Sequence, residues 1–393
     1  MEYSPRVVDA ELDRLLAGLP AVAVDGAKGV GKTATAARRI TDEIRLDRKR
    51  IRQNVEADPE MILTRKRPLL IDEWHLAPEL WDVVRRAVDD DRSPNQFLLT
   101  GSALPPKDAR IHSGSGRIIR MIMRPMILPE RGITEPSVSF ADLLSGGKPS
   151  LSGTTDFNLV DYTREIIASG FPGIRRDPQD LRPLTMASYI DEMLDRDIPE
   201  IGVSVRRPQA LKAWLSAYAA ATATTTSYQE ILNSATPGDA GKPARSTAEA
   251  YRELLQRMWI LDPLPAWIPA FNPLKRLAQS PKHHLADPAI AASLLGATEE
   301  SLLLPLDEVV NAKREGTLLA ALFESLAVLT IRVLAQPLQA KTSHLRTRNG
   351  DREIDIIVER PDHKVLAIEV KLSATPGLSD AKHLNWLETE LNN

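Results

Sequence analysis

The chain has 393 residues, 50 Lys plus Arg against 53 Asp plus Glu, a formal net charge of −3 and no cysteine. That length exceeds one ordinary core and predicts two or three domains. The near-neutral charge excludes an overall basic field for nucleic acid, and the missing cysteines exclude disulfides, thiolate zinc sites and cysteine nucleophiles. Met1 to Arg6 carries no signal-peptide pattern and no apolar run reads as long enough to span a bilayer. A cytoplasmic protein with no membrane partner is therefore expected.

In chain order, residues 7–19 carry apolar residues at helical spacing. Residues 21–24 read as a buried strand and 34–44 as a helix, with a glycine-rich turn between them. Residues 45–58 are dense in charge and read as a solvated helix end and loop. Residues 69–73 form an apolar run ending in Asp72 and Glu73, residues 78–88 are helical in pattern, and 97–102 are a second buried strand ending in small polar residues. Strand, helix, strand, helix, strand is the rhythm of a parallel α/β sheet. Residues 113–124 are rich in Gly and Ser and then basic, and 125–153 read as the exit from the first domain.

Further helices are predicted over 162–168, 184–197, 208–221, 228–232 and 246–256, with a Pro/Gly/Ala loop at 236–245 and a short strand at 259–263. Helix, helix, loop, helix, strand is the order of a winged helix-turn-helix. A long helix over 315–334, strands over 354–358 and 365–370 and a final helix over 379–391 complete the chain.

The turn is Gly26-Ala27-Lys28-Gly29-Val30-Gly31-Lys32-Thr33, a P-loop. Its backbone N–H groups and the helix dipole suit polyphosphate; Lys32 reaches the β- and γ-phosphates and Thr33 places its hydroxyl on Mg²⁺. The run ending in Asp72-Glu73 reads as a Walker B strand, with Asp72 toward Mg²⁺ and Glu73 orienting or deprotonating the attacking water. Thr100 or Ser102 would sit between these carboxylates and the γ-phosphate as a sensor. Arg117 is the first candidate for an arginine finger, in cis or across a subunit interface, with Arg110, Arg120 and Arg124 as rivals; a solvated basic loop is the bland alternative.

Near the C-terminus, Glu369-Val370-Lys371 ends one strand and Asp355 lies in the strand before it. An acidic residue, a turn and Glu-X-Lys would place Asp355 and Glu369 on a divalent metal and Lys371 on the developing charge at phosphorus, with Glu324 as a further acid. An alternating-charge strand edge is the plain alternative. His283-His284 with Asp287 reads as a solvated loop, and Trp74, Trp81 and Trp214 as core. Arg245, Arg252 and Arg257 on the last helix of the winged unit would meet phosphates, but Glu249 and Glu253 dilute their field.

Together these residues resemble prokaryotic ATPases of the AAA+ superfamily that carry a C-terminal domain of unknown function. The matching segments are Gly26 to Thr33, Leu70 to Trp74, Leu99 to Ser102, His112 to Arg117, Ser169-Gly170-Phe171-Pro172-Gly173, Tyr189 to Ile198, Pro281-Lys282 with Asp287, and Asp355 with Glu369-Val370-Lys371. The resemblance implies an α/β fold: a P-loop NTPase parallel sheet with helices on both faces (1–135), a helical region with a winged helix (136–275), and a small restriction-endonuclease-like, PD-(D/E)XK-like domain (276–393). It implies ATP and Mg²⁺ as ligands, Asp355, Glu369 and Lys371 as a nuclease-like site, and a homo-oligomer, since such ATPases commonly form rings. A restriction-like core usually continues with a further strand after the helix that follows Glu-X-Lys. The chain ends at Asn393, so a truncated or incomplete last domain is expected. Three functions stay open: an Mg²⁺-dependent ATPase coupled to a DNA- or protein-binding region, a slow nucleotide-controlled switch, and a nucleotide-gated metal-dependent nuclease or toxin–antitoxin or defence effector.

Overall fold

The computed structural model describes residues 3–104, 114–133, 136–147, 155–201, 203, 205, 207–235, 244–269, 280–304, 312–373, 375 and 377–392. Arg110, His112 and Ser113 lie outside the described residues, as does most of the 236–245 loop. The fold is α/β. Five parallel strands, β1 (Ala21–Asp25), β2 (Asp42–Arg45), β3 (Leu69–Asp72), β4 (Phe97–Gly101) and β5 (Ile118–Ile122), form one sheet in the order β2-β3-β4-β1-β5.

Period-two alternation dresses both faces of this sheet. Val22, Val24, Leu70 and Leu98 pack with Leu12 and Leu16 of the first helix (Val7–Gly18). Ala21, Ala23, Leu69, Ile71, Phe97 and Leu99 pack on the other face with Val55, Val84 and Val88 of the helices Lys49–Ala57 and Glu79–Asp90. Trp74 and Trp81 belong to the same cluster, with ring centroids 4.6 Å apart. A strand covered on both sides reads as a continuous apolar run, which is why β1, β3 and β4 are legible in the sequence.

Two of the predicted elements differ. The helix expected over 34–44 is a short helix Lys32–Ala36 and one tighter turn, Ala37–Arg39. The chain then enters β2, because Thr41 N–H donates to the Pro68 carbonyl (2.9 Å) and residues 42–45 pair with β3. The charged stretch after it is not a solvated loop but includes the helix Lys49–Ala57, which buries Val55. Within the Gly/Ser-rich and then basic stretch, the mostly apolar residues 118–122 form β5, an edge strand whose partner is β1. At β2 (Asp42-Glu43-Ile44-Arg45) pairing with a neighbour overrides local composition.

The middle of the chain is helical: Leu159–Ile167, Arg182–Glu192 continued by the wider turn Met193–Asp197, Pro208–Ala220, Tyr228–Ser234 and Arg245–Arg257. The expected strand at 259–263 is present as isolated antiparallel bridges, Leu261 with Leu285 and Leu264 with Lys282. One apolar cluster runs from the β1 face through Trp214, Tyr218 and Leu255 to Leu319, Leu322 and Leu326. The helical region is thus fused to the sheet by a shared core.

Three antiparallel strands follow, β6 (Lys341–Arg346), β7 (Glu353–Glu359) and β8 (Val365–Ile368), in the order β6-β7-β8. The long helix Ala312–Ala335 packs Val328 and Ala335 against Ile356 and Val358 of β7. Against expectation, residues Leu318–Leu338 are long and apolar enough to cross a membrane, with a mean hydropathy of 2.0. Leu322, Leu326, Val328, Leu329 and Val333 of this stretch are buried inside the protein, as in a core helix.

An ion-pair node ties the long helix to the segment that follows β5 of the five-stranded sheet. Asp262 accepts from Arg124 Nε (2.7 Å) and lies 3.0 Å from Arg332 Nη1. Burial alone would raise the Asp262 carboxyl, but Arg124 and Arg332 outweigh it and hold it down at about 2 against an ordinary 3.8. The stability it contributes is therefore present above about pH 4 and lost as pH falls toward about 2. Asp262→Asn, which leaves two guanidinium groups unbalanced, is expected to cost about 3 kcal/mol at neutral pH. It should also flatten the acid limb of a chemical-denaturation series over that window; an acid limb identical to the wild type's would rule the node out as its source.

Candidate nucleotide-binding site

The site lies at the carboxyl ends of β1, β3 and β4. Gly26 leaves β1 with its backbone pressed against β5: a Cβ there would lie 2.2 Å from the Met123 carbonyl oxygen, so only glycine fits. The loop that follows returns into the helix Lys32–Ala36. Lys32 is buried, and its ammonium donates to the carbonyls of Gly26 (2.9 Å) and Ala27 (3.0 Å). Burial lowers its pKa, opposed by Glu73, Asp25 and Asp72. Lys28 is instead turned outward, 2.6 Å from Asp197 of the helical region, while Tyr189 O–H donates to the Lys28 carbonyl at 3.1 Å.

β4 separates β1 from β3, so the P-loop and the Walker B residues meet only across it. Thr100 supplies the bridge. Its hydroxyl and that of Thr33 (2.8 Å) both donate to Asp72 Oδ1. Burial raises the Asp72 carboxyl, and the two hydroxyls pull it back. Two hydroxyls and a carboxylate at one point are hard oxygen donors, the set that suits Mg²⁺. Glu73 follows Asp72 in the left-handed region (φ 56°). That turn swings its carboxylate toward Ser102, whose N–H (3.0 Å) and hydroxyl (2.8 Å) both donate to Glu73 Oε2. His75 Nδ1 lies 3.3 Å from the same oxygen. Thr100 and Ser102 therefore divide the work: one holds Asp72, the other Glu73.

These groups border a cleft of about 550 Å³ lined by Gly29, Gly31, Lys32, Thr33, Glu73 and, from the helical region, Pro172, Gly173, Arg175 and Arg176. The wall carrying Phe171 to Arg176 is set by buried Asp287, whose Oδ2 accepts from Gly170 N–H (2.6 Å) and Ser169 Oγ (3.0 Å). Gly170 must be glycine, because a Cβ would lie 2.5 Å from the Met126 carbonyl oxygen.

The arginines fall differently from the sequence order of preference. Arg117 lies outside the cleft lining and pairs with Asp89 at 2.8 Å on the exposed surface. Arg120 pairs with Asp25 (2.6 Å) and Arg124 with Asp262. Arg131 and Arg175 line the cleft but share Glu165, at 3.0 and 2.8 Å. Arg176 is exposed and makes no ion pair among the described residues. Its only trace in the sequence is its place three residues after Gly173, the end of the Ser169–Gly173 motif.

At the other end of the molecule, Asp355 Oδ2 accepts from Val370 N–H (2.9 Å) and Glu369 pairs with Lys371 (2.6 Å). Asp355 Oδ1 lies 2.9 Å from Lys282 Nζ, which also contacts Glu324 (2.8 Å) and Glu353 (3.0 Å). Burial, opposed by Lys282, pushes the Glu324 carboxyl up to about 7. His283 and His284 are not solvated, as expected, but buried; they contact the Thr226 carbonyl (2.6 Å) and Ser325 Oγ (3.2 Å). Arg245 pairs with Glu249 at 3.1 Å, Arg252 stacks 4.6 Å over Tyr228 and Arg257 donates to the Leu104 carbonyl at 2.8 Å.

Residues 19–131 match a family described as an AAA domain. The nucleotide cradle thus lies within an AAA-type P-loop domain. Residues 159–301 and 319–393 match families described as domains of unknown function, DUF8612 and DUF4143. Uncharacterized proteins of Mycobacterium bovis and Mycobacterium tuberculosis are each 26% identical over 390 residues, covering 97% of this chain and 77% of theirs. The structure of the Aeropyrum pernix ORC2 protein in ADPNP-ADP complexes is 15% identical, covering 80% of this chain and 92% of that one, at a TM-score of 0.26.

Asp287→Ala removes both hydrogen bonds to the cleft wall and a third to Ala289 N–H (2.8 Å). A loss of about 2–3 kcal/mol in thermal or denaturant unfolding is expected, from the unmade buried bonds and the lost helix cap. Nucleotide affinity should fall with it; unchanged affinity in a destabilised variant would show that the wall does not contact the nucleotide.

Proposed function

We propose that this protein binds ATP with Mg²⁺ in the cleft above Lys32 and hydrolyses it. The observation that carries this reading is the convergence of Thr33 and Thr100 on Asp72 beneath a cleft that Lys32 and Glu73 also line. Thr33 and Asp72 would hold Mg²⁺, which would supply charge neutralisation at the phosphates. Lys32 leaves the carbonyls of Gly26 and Ala27 for the β- and γ-phosphates. Glu73 accepts the proton of the attacking water, and Ser102 keeps its carboxylate aimed. Thr100 senses the γ-phosphate through its shared contact with Asp72. In cis, Arg176 is the guanidinium best placed to meet phosphate charge; Arg117 is left for a role across a subunit interface.

Hydrolysis would be felt in the helical region through the Lys28–Asp197 pair and in the C-terminal region through Asp287. With Arg245, Arg252 and Arg257 engaged within the chain, a protein partner fits this region better than a DNA duplex does.

Lys32→Ala is expected to abolish ATP binding by calorimetry. Glu73→Gln should bind ATP as well as wild type yet lose at least about 100-fold in turnover. Equal turnover in Glu73→Gln and wild type would remove Glu73 as the base. Arg176→Ala should weaken ATP more than ADP, by about tenfold, the cost of one charge-assisted contact. Arg117→Ala should leave ATP affinity unchanged; the reverse ranking would reassign the cis arginine.

A further inference from the structure

The carboxylates Glu324, Glu353 and Asp355 come from the long helix and from β7, and they meet at one point. Such a point, beside Glu369 and Lys371, is where the family resemblance would put a divalent ion. The donor set does not fit one. Lys282 Nζ sits there, 2.8, 3.0 and 2.9 Å from one oxygen each of Glu324, Glu353 and Asp355, with only 1% of its side chain exposed. The second oxygen of Asp355 is taken by Val370 N–H and the second of Glu353 lies 3.3 Å from Arg346. Glu369 is turned to Lys371, and its Oε2 is a buried oxygen with no hydrogen-bond partner. Mg²⁺ keeps several of its waters and needs only one or two carboxylates, so what excludes it here is the ammonium that already fills the point where those carboxylates meet.

We infer that Lys282 is a built-in cation standing where a divalent metal would otherwise bind, so that this cluster is a structural anchor and not a metal-dependent nuclease site. An ammonium satisfies three acceptors with three N–H donors, which matches the three carboxylates in number. It carries no open coordination position and so offers nothing to a phosphodiester or a water. Its place in the chain also explains the arrangement. Lys282 lies five residues before Asp287, which fixes the Ser169–Gly170 wall of the nucleotide cleft. The anchor therefore holds the segment from which that wall is set.

The test uses the full-length protein without nucleotide, so that the P-loop holds no metal. Mn²⁺ uptake is followed by electron paramagnetic resonance in wild type, Asp355→Asn and Glu369→Gln. The expected result is no uptake, or uptake that both variants retain. Uptake lost in either variant would overturn the inference. Independently, Lys282→Ala is expected to melt well below wild type in chelator and to regain part of that loss in Mn²⁺, while wild type is indifferent to Mn²⁺. A folded Lys282→Ala that takes up no Mn²⁺ would also overturn it, because the cluster would then have no use for a cation.

Discussion

The nucleotide site depends on one carboxylate, Asp72, being held at the end of a strand that does not touch the P-loop strand. β4 lies between them, and Thr100 spans the gap by donating to the same oxygen that Thr33 reaches from the other side. Without that bridge, burial would favour the neutral acid at Asp72, a poor partner for a metal–phosphate complex. The parallel sheet sets Asp72 and Thr100 in register across β3 and β4, and the helix that follows β1 and the P-loop brings Thr33 to the same oxygen. Every other feature of the cleft is arranged around this point.

The rest of the chain closes the cleft from outside the sheet. Its far wall is a short helix of the helical region, Pro172–Arg175, and buried Asp287, more than a hundred residues later, fixes the Ser169–Gly170 segment that leads into it. Lys28, inside the P-loop, reaches Asp197 on the same region. Both connections are charged or charge-assisted; the Asp287 contacts are buried, where such bonds are stronger and more costly to leave half-made, and the Lys28–Asp197 pair is exposed. A cleft walled by two regions is one whose occupancy can be felt by both.

The same chain uses carboxylates in two opposed ways. At Asp72, hydroxyls share the charge and leave room for a metal. At Asp355, a buried ammonium, Lys282, meets the charge. The sequence shows acidic residues near Lys or Thr in both places, and only the partners that the fold delivers separate the two chemistries.

Much of the site was legible without coordinates. The P-loop spacing, the run ending in Asp72-Glu73 and the polar end of β4 are local patterns, because buried parallel strands are continuous apolar runs and a phosphate loop needs glycine at set positions. The sequence by itself determined the α/β class and the positions of β1, β3 and β4, and it singled out Lys32, Thr33, Asp72 and Glu73, which the fold brings together at one cleft. It did not determine β2, whose charged residues suit an edge strand only when a neighbour is present to pair with, or β5, a short strand inside a stretch read as Gly/Ser-rich and basic. Nor did it determine which arginine faces the cleft, that Thr100 and Ser102 serve different carboxylates, or that His283, His284 and Lys282 are buried. Those are questions of which distant groups meet. Burial and charge pairing depend on contacts between residues far apart in sequence, and only the tertiary structure brings them together.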